Sequence, residues 1–230
     1  MNKTNLNILK SICLILLLIT YQYIPIIIFI GFGFSYTKLN SIYKIVYLFI
    51  TSLLFMILLY YIYRSDIKKD IKSFKKNFFK ILKTSIKWWL IGLFIMIVSN
   101  IIISYINSGN LPENEKSVRE MLNKYPIYML FQISIYAPFT EEIIFRKSIK
   151  DIFKNPYIYI LISGLVFGGM HVISSSFSNP SNLLFIIPYG ALGSIFAYLY
   201  HKTDNIFASM SVHCIHNTIT FLLLIISRSI

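Results

Sequence analysis

Negative charge is scarce in this chain: nine Asp and Glu stand among 230 residues, against 22 Lys and Arg, and charged residues of both signs reach only 13%. A soluble domain carries roughly a quarter. The shortage excludes a disordered protein and an ordinary cytosolic enzyme, both of which need far more charge in water. Cysteine is as rare, with only Cys13 and Cys214, each inside an apolar run. Two such residues read as small apolar fillers, not as a disulfide framework.

What fills the gap is hydrocarbon: 56% of the residues are hydrophobic, in runs too long for a soluble core. Seven segments, near 11–34, 43–63, 88–107, 126–146, 156–175, 183–200 and 205–227, are long enough to cross about 30 Å of hydrocarbon at 1.5 Å per residue. The first is open to a break at Pro25, and without a small-x-small cleavage pattern it reads as a retained span, not a removed signal. The fold class is therefore all-α, a polytopic bundle of about seven spans.

The net charge of +13 is distributed between these spans. Placed on alternate sides, sixteen Lys and Arg fall with the N-terminus, with 64–87 and with the links after spans four and six; six fall opposite. The bias predicts an integral, multi-pass protein with a cytoplasmic N-terminus and, with seven spans, a C-terminus outside. Within 64–87, apolar residues at 67, 71, 74, 78 and 82 recur at helical spacing while lysines fill the other face. That pattern predicts an amphipathic helix on an anionic leaflet, which makes the bilayer, not nucleic acid, the partner of its basic charge.

Ionisable groups inside spans are costly and concentrate where function is. Of the nine acids only Glu141 and Glu142 fall in or at the end of a span, joined by His171, His213 and His216 in spans five and seven. Glu142 and Arg146 are i and i+4, with Glu leading, the favoured order for an ion pair. Glu141 lies about 100° round the helix, so one carboxylate can be structural and its neighbour chemical; both could instead only pair with cations at the lipid boundary. Phe167 and His171 are i and i+4, as are His213 and Asn217. Gly164 and Gly168 form a GxxxG suited to close helix packing. His213, about eight residues into its span, can meet His171, about fifteen residues in from Pro156, only if span five tilts or begins in water.

Glu141-Glu142-x-x-x-Arg146, Phe167-x-x-x-His171 and His213-x-x-x-Asn217, in that order on late spans, resemble the CAAX-protease and bacteriocin-processing (CPBP, or Abi) family of intramembrane proteases. The stretch DNIFASMSVHCIHN resembles its last motif, and the resemblance covers roughly 125–222. It divides the chain into N-terminal helices with a basic link, 1–124, and a catalytic core, 125–230. It implies hydrolysis of a peptide bond in a membrane-associated peptide or protein, with bacterial relatives linked to bacteriocin or signal-peptide processing and self-immunity. The catalytic residues implied are Glu141, His171, His213 and Asn217, supported by Glu142, Arg146 and Phe167. One account of the family makes Glu141, His171 and His213 ligands of a metal such as zinc; another makes it a glutamate protease needing none. No HExxH supports the first. No span Asp or GxSG supports an aspartyl or serine protease. The alternative to an enzyme is a peptide-binding immunity protein or transporter.

Overall fold

The computed structural model describes residues 3–21, 23–33, 39–106, 113–177 and 179–227. Among them there is no strand; every long element is helical. The chain runs through α1 (Lys3–Tyr21), α2 (Ile24–Gly31), α3 (Ser41–Ile62), α4 (Arg64–Lys76), α5 (Phe78–Ile106), α6 (Glu113–Lys124), α7 (Pro126–Phe131) and α8 (Ala137–Glu141). It continues through α9 (Pro156–Ser176), a 3-10 turn (Pro180–Phe185), α10 (Ile186–Thr203) and α11 (Ile206–Ile226). Among the described residues, six helices are long and apolar enough to cross a membrane: α1, α3, α5, α9, α10 with its 3-10 turn, and α11.

The fourth expected span is present, but not as one regular α-helix. Two π-helical segments, Gln132–Tyr136 and Glu142–Ser148, flank α8 within a continuous helical run. A π segment inserts a residue into the α ladder and redirects the side chains that follow, and such segments are frequent at functional sites. Carbonyls in both are taken by side chains from elsewhere: Asn217 Nδ2 donates to Ile133 O (2.9 Å), Ser163 Oγ to Phe145 O (2.6 Å) and Ser11 Oγ to Ser148 O (3.0 Å). Three other helices thus hold this run in its irregular geometry.

The remaining boundaries have local causes. The first span divides into α1 and α2 at Pro25, in the first turn of α2, and the chain then turns at Gly33, whose φ of 76° suits glycine. The third begins at Phe78, ten residues before the expected 88, so the basic stretch 64–87 is α4 plus the first turns of α5. The expected ends at 34 and 107 lie outside the described residues. Asn40, Asn155 and Asn205 cap α3, α9 and α11, each accepting a backbone N–H from the first turn. Asp204, at φ 46°, turns the chain between α10 and α11. Cys13 is exposed, not buried, and both cysteines are free.

α10 is the most enclosed of the six spans. It packs tightly against α9, where a Cβ on Gly164 would lie 2.7 Å from Gly190 O and one on Gly168 2.9 Å from Gly190 N. The GxxxG is therefore a helix-packing face. α3 and α5 present exposed Leu54, Phe94 and Ile101 outward, as surfaces meant for lipid do.

Candidate active site

Arg146 is fully buried, so it is not one of the link charges among which the topology count placed it. Its Nε lies 3.3 Å from Glu142 Oε2, forming the expected i,i+4 ion pair, and its Nη1 donates to Ser163 Oγ at 3.2 Å. The guanidinium stands over the Phe167 ring, 4.5 Å from its centroid, and 5.7 Å from that of Phe196. Ring faces supply part of what water would otherwise supply to the buried cation. A charge with no exposure persists only when it is paired in this way.

Glu142, also fully buried, accepts from His213 Nδ1 at 2.9 Å with its other oxygen. That hydrogen bond puts a proton on Nδ1 and turns Nε2 toward Glu141, whose Oε2 is 3.7 Å away. The two carboxylates do not diverge as a regular helix suggests. At the change from α8 to the π segment they bracket one imidazole. The Glu141 side chain keeps 17% exposure where His213 keeps 4% and Glu142 none, so it is the member of the group open to an incoming molecule.

Phe167 joins the second histidine to this group. Its ring is 6.0 Å from that of His213 and 4.5 Å from that of His171. Ser163, seven residues into α9, already meets Arg146, so Phe167 one turn deeper stands level with His213. The two histidines are thus linked through the Phe167 ring that lies against both. His171 itself stacks on Tyr189 at 4.6 Å, and its Nδ1 is 2.9 Å from Phe167 O, which leaves Nε2 unengaged by that contact. Asn217 is turned to Ile133 O, using one of its two amide hydrogens. His216 lies apart, edge-on to Trp89 at 6.4 Å.

Among the described residues no three His, Cys, Asp or Glu side chains are grouped so as to hold a metal ion. His213 Nδ1 is engaged by Glu142 and His171 Nδ1 by Phe167 O, contacts of the kind that orient a ligating imidazole, so the two Nε2 atoms and the Glu141 carboxylate are the donors that would hold an ion. Ser163, Ser11, Tyr189 and Phe196 are site neighbours that motif spacing does not single out. Ser163 alone carries a signal, a polar residue one turn before Phe167 on the same face.

The family model for type II CAAX prenyl endopeptidase Rce1-like proteins matches residues 123–219. Over these residues the chain is similar to the CAAX-protease and bacteriocin-processing family. Every site residue named above except Ser11 lies within that match or, as with Trp89, beside it in space. YvdC of Lactococcus lactis is 29% identical over 211 residues, which cover 90% of this chain and 75% of YvdC. YdiL of Bacillus subtilis, described as a candidate membrane peptidase, is 32% identical over 142 residues, or 58% of this chain and 54% of YdiL. YaiH of Lactococcus lactis is 28% identical over 153 residues. The chain thus spans three quarters of one relative and about half of another. No solved structure matches it. The chain is an integral membrane protein with similarity to a membrane-protease family over 123–219.

Proposed function

We propose that this CPBP-like protein is an intramembrane endopeptidase that hydrolyses a peptide bond in a membrane-associated peptide or protein, with Glu141 activating the water. The observation that carries this reading is the imidazole of His213 held between two carboxylates of unequal exposure, Glu142 sealed and Glu141 open.

The charges explain the division of labour. Arg146 and Glu142 cancel, so Glu141 and His213 are left to share one proton, and with that proton the buried group is neutral. In the charged form of the pair, the Glu141 carboxylate takes a proton from water as the water oxygen attacks the carbonyl carbon. His213, doubly protonated and fixed by Glu142, donates from Nε2 toward the developing oxyanion, together with the second amide hydrogen of Asn217. The proton on Glu141 then passes to the leaving nitrogen, directly or through His171 Nε2, and the C–N bond breaks. Glu141 returns to its carboxylate and the atoms balance as amide plus water to acid plus amine. No step is routed through a metal. This is the chemistry of a glutamate protease.

Residues 125–230 form the catalytic core on this reading, and 1–124 brace it through Ser11 and α5. The basic links put the N-terminus in the cytoplasm of a bacterial cell, which suits processing of a bacteriocin, a signal peptide or a self-immunity target. The test is incubation of purified protein in vesicles with lipidated and amphipathic peptides, with and without a chelator. Cleavage that survives the chelator is the expected result; cleavage abolished by it and restored by added zinc contradicts the metal-free mechanism.

A further inference from the structure

α4 joins two membrane-crossing helices, α3 and α5, and is itself too polar to enter lipid, so its connections keep it in the headgroup layer. Its sidedness is strong. Ile67 and Asp70 are buried, Ile71 and Phe74 half-buried, while Arg64, Lys68, Lys69, Lys72, Lys75 and Lys76 are exposed. Lys80, Lys83 and Lys87 extend the exposed basic surface along the first turns of α5. Of the two acids of α4, Asp66 is exposed but bridges to Lys147 at 3.3 Å, and Asp70 is turned inward, so the outward face carries a large excess of positive charge.

Asp70 points at the start of the helix that carries His213 and Asn217. Its carboxylate Oδ2 accepts the Ile206 N–H at 2.9 Å, and its backbone carbonyl accepts from Asn205 Nδ2 at 2.7 Å. Asn205 is fully buried and caps α11 through Phe207 N. Phe74 adds a ring contact to Phe207 at 5.7 Å. Alongside, Lys69 reaches Asp204 at 3.6 Å and Lys150 reaches it at 2.8 Å. The Asp70 side chain satisfies an orphan N–H in the first turn of α11, so α4 is the seat of α11. Ile206 and His213 are seven residues apart on a rigid helix, about 10 Å.

We propose that the basic face of α4 and the start of α5 binds the headgroups of anionic lipids, and that this binding fixes the position of α11 through Asp70. Charge complementarity commits the surface to a lipid bearing net negative charge: nine exposed cations of one sign sit at the depth where such headgroups lie. The consequence for proteolysis rests on the reading of His213 as part of the active site; the lipid preference and the coupling do not.

The test therefore uses no substrate. The full chain is placed in bilayers containing brominated phosphatidylglycerol or brominated phosphatidylcholine, and quenching of its two tryptophans, Trp88 and Trp89 beside Lys87, is compared. Several-fold stronger quenching by the anionic lipid is expected, falling to parity in a variant with Lys68, Lys72, Lys75 and Lys76 all changed to Gln. Equal quenching in the native chain overturns the lipid site. Hydrogen exchange of the amides of 206–209 is then measured with and without phosphatidylglycerol. Exchange several-fold slower in the anionic bilayer is expected for the native chain. Asp70→Asn, which can still accept the Ile206 N–H but without charge, should keep the lipid preference and lose most of that slowing. A native chain whose exchange ignores the lipid, or an Asp70→Asn chain that responds in full, overturns the coupling.

Discussion

The side-chain amide of Asn217 lies 2.9 Å from the carbonyl oxygen of Ile133, inside the first π-helical segment. One residue of the last motif thus ties α11 to the irregular helix that bears both glutamates and keeps a second amide hydrogen for the role proposed above. Asn217→Asp replaces the donor with an acceptor facing an acceptor. Thermal unfolding in detergent should show a loss of up to about 1–3 kcal/mol, the cost of leaving a half-buried carbonyl unsatisfied. Peptide cleavage should fall with it, and an unchanged melting temperature would contradict this role.

The Glu142–Arg146 pair tests a different kind of dependence. Both groups are fully buried, and removing one leaves the other as an uncompensated charge, which costs about 3–5 kcal/mol. Arg146→Met and Glu142→Gln should each lower the melting temperature sharply, whereas the double substitution should recover much of the loss. Recovery of stability without recovery of activity is the expected pattern, because His213 would have lost the carboxylate that orients it. Additive losses would show that the pair is not coupled.

Order and spacing of Glu141, Glu142, Arg146, Phe167, His171, His213 and Asn217 are enough to place a site on the late spans, because ionisable residues in lipid are too costly to be incidental. The helical bundle is equally legible in the long apolar runs. Three features stay hidden for physical reasons. A π segment is stabilised by contacts from other helices, here Ser11, Ser163 and Asn217, so no local pattern announces it. The meeting of both carboxylates on one imidazole, Glu142 at Nδ1 and Glu141 toward Nε2, is likewise a tertiary contact that helical spacing alone does not announce. The start of α5 also escapes hydropathy, since a helix can continue through Lys80, Lys83 and Lys87 into the headgroups at no cost that an apolar run records.

Helix packing offers a paired control. A Cβ at Gly164 meets Gly190 O at 2.7 Å and collides with Ser194, whereas one at Gly169 meets nothing within 4 Å. Gly164→Ala should destabilise by about 1–3 kcal/mol, as overpacking does. Gly169→Ala should leave unfolding unchanged or slightly raise stability through helix propensity. Equal effects at the two positions would mean that α9 and α10 are not in close contact.

The acids at the foot of α11 predict opposite pH responses. Burial raises the Asp70 carboxyl above its ordinary value, partly countered by the Ile206 N–H, with Asp204 adding to the rise. Burial also pushes Asp204 up, but Lys150 and Lys69 outweigh it and hold that carboxyl low. Asp70 therefore favours the folded chain most when protonated, and stability is lost as pH rises from about 4 through its raised value. Asp204 contributes above about 4, and its contribution is lost as pH falls through its lowered value. Denaturation measured against pH should flatten above about 4 in Asp70→Asn and below about 4 in Asp204→Asn. The Asp204 effect will be the smaller, because that side chain is largely exposed.

The most direct measurement is the cleavage rate of Glu141→Gln in vesicles, beside the native chain and with melting temperature recorded for both. Gln keeps the shape and removes the proton acceptor. The rate should drop by about 10²–10⁴ while the fold and membrane insertion persist. A folded Gln variant that cuts as fast as the native chain would place the water-activating group elsewhere.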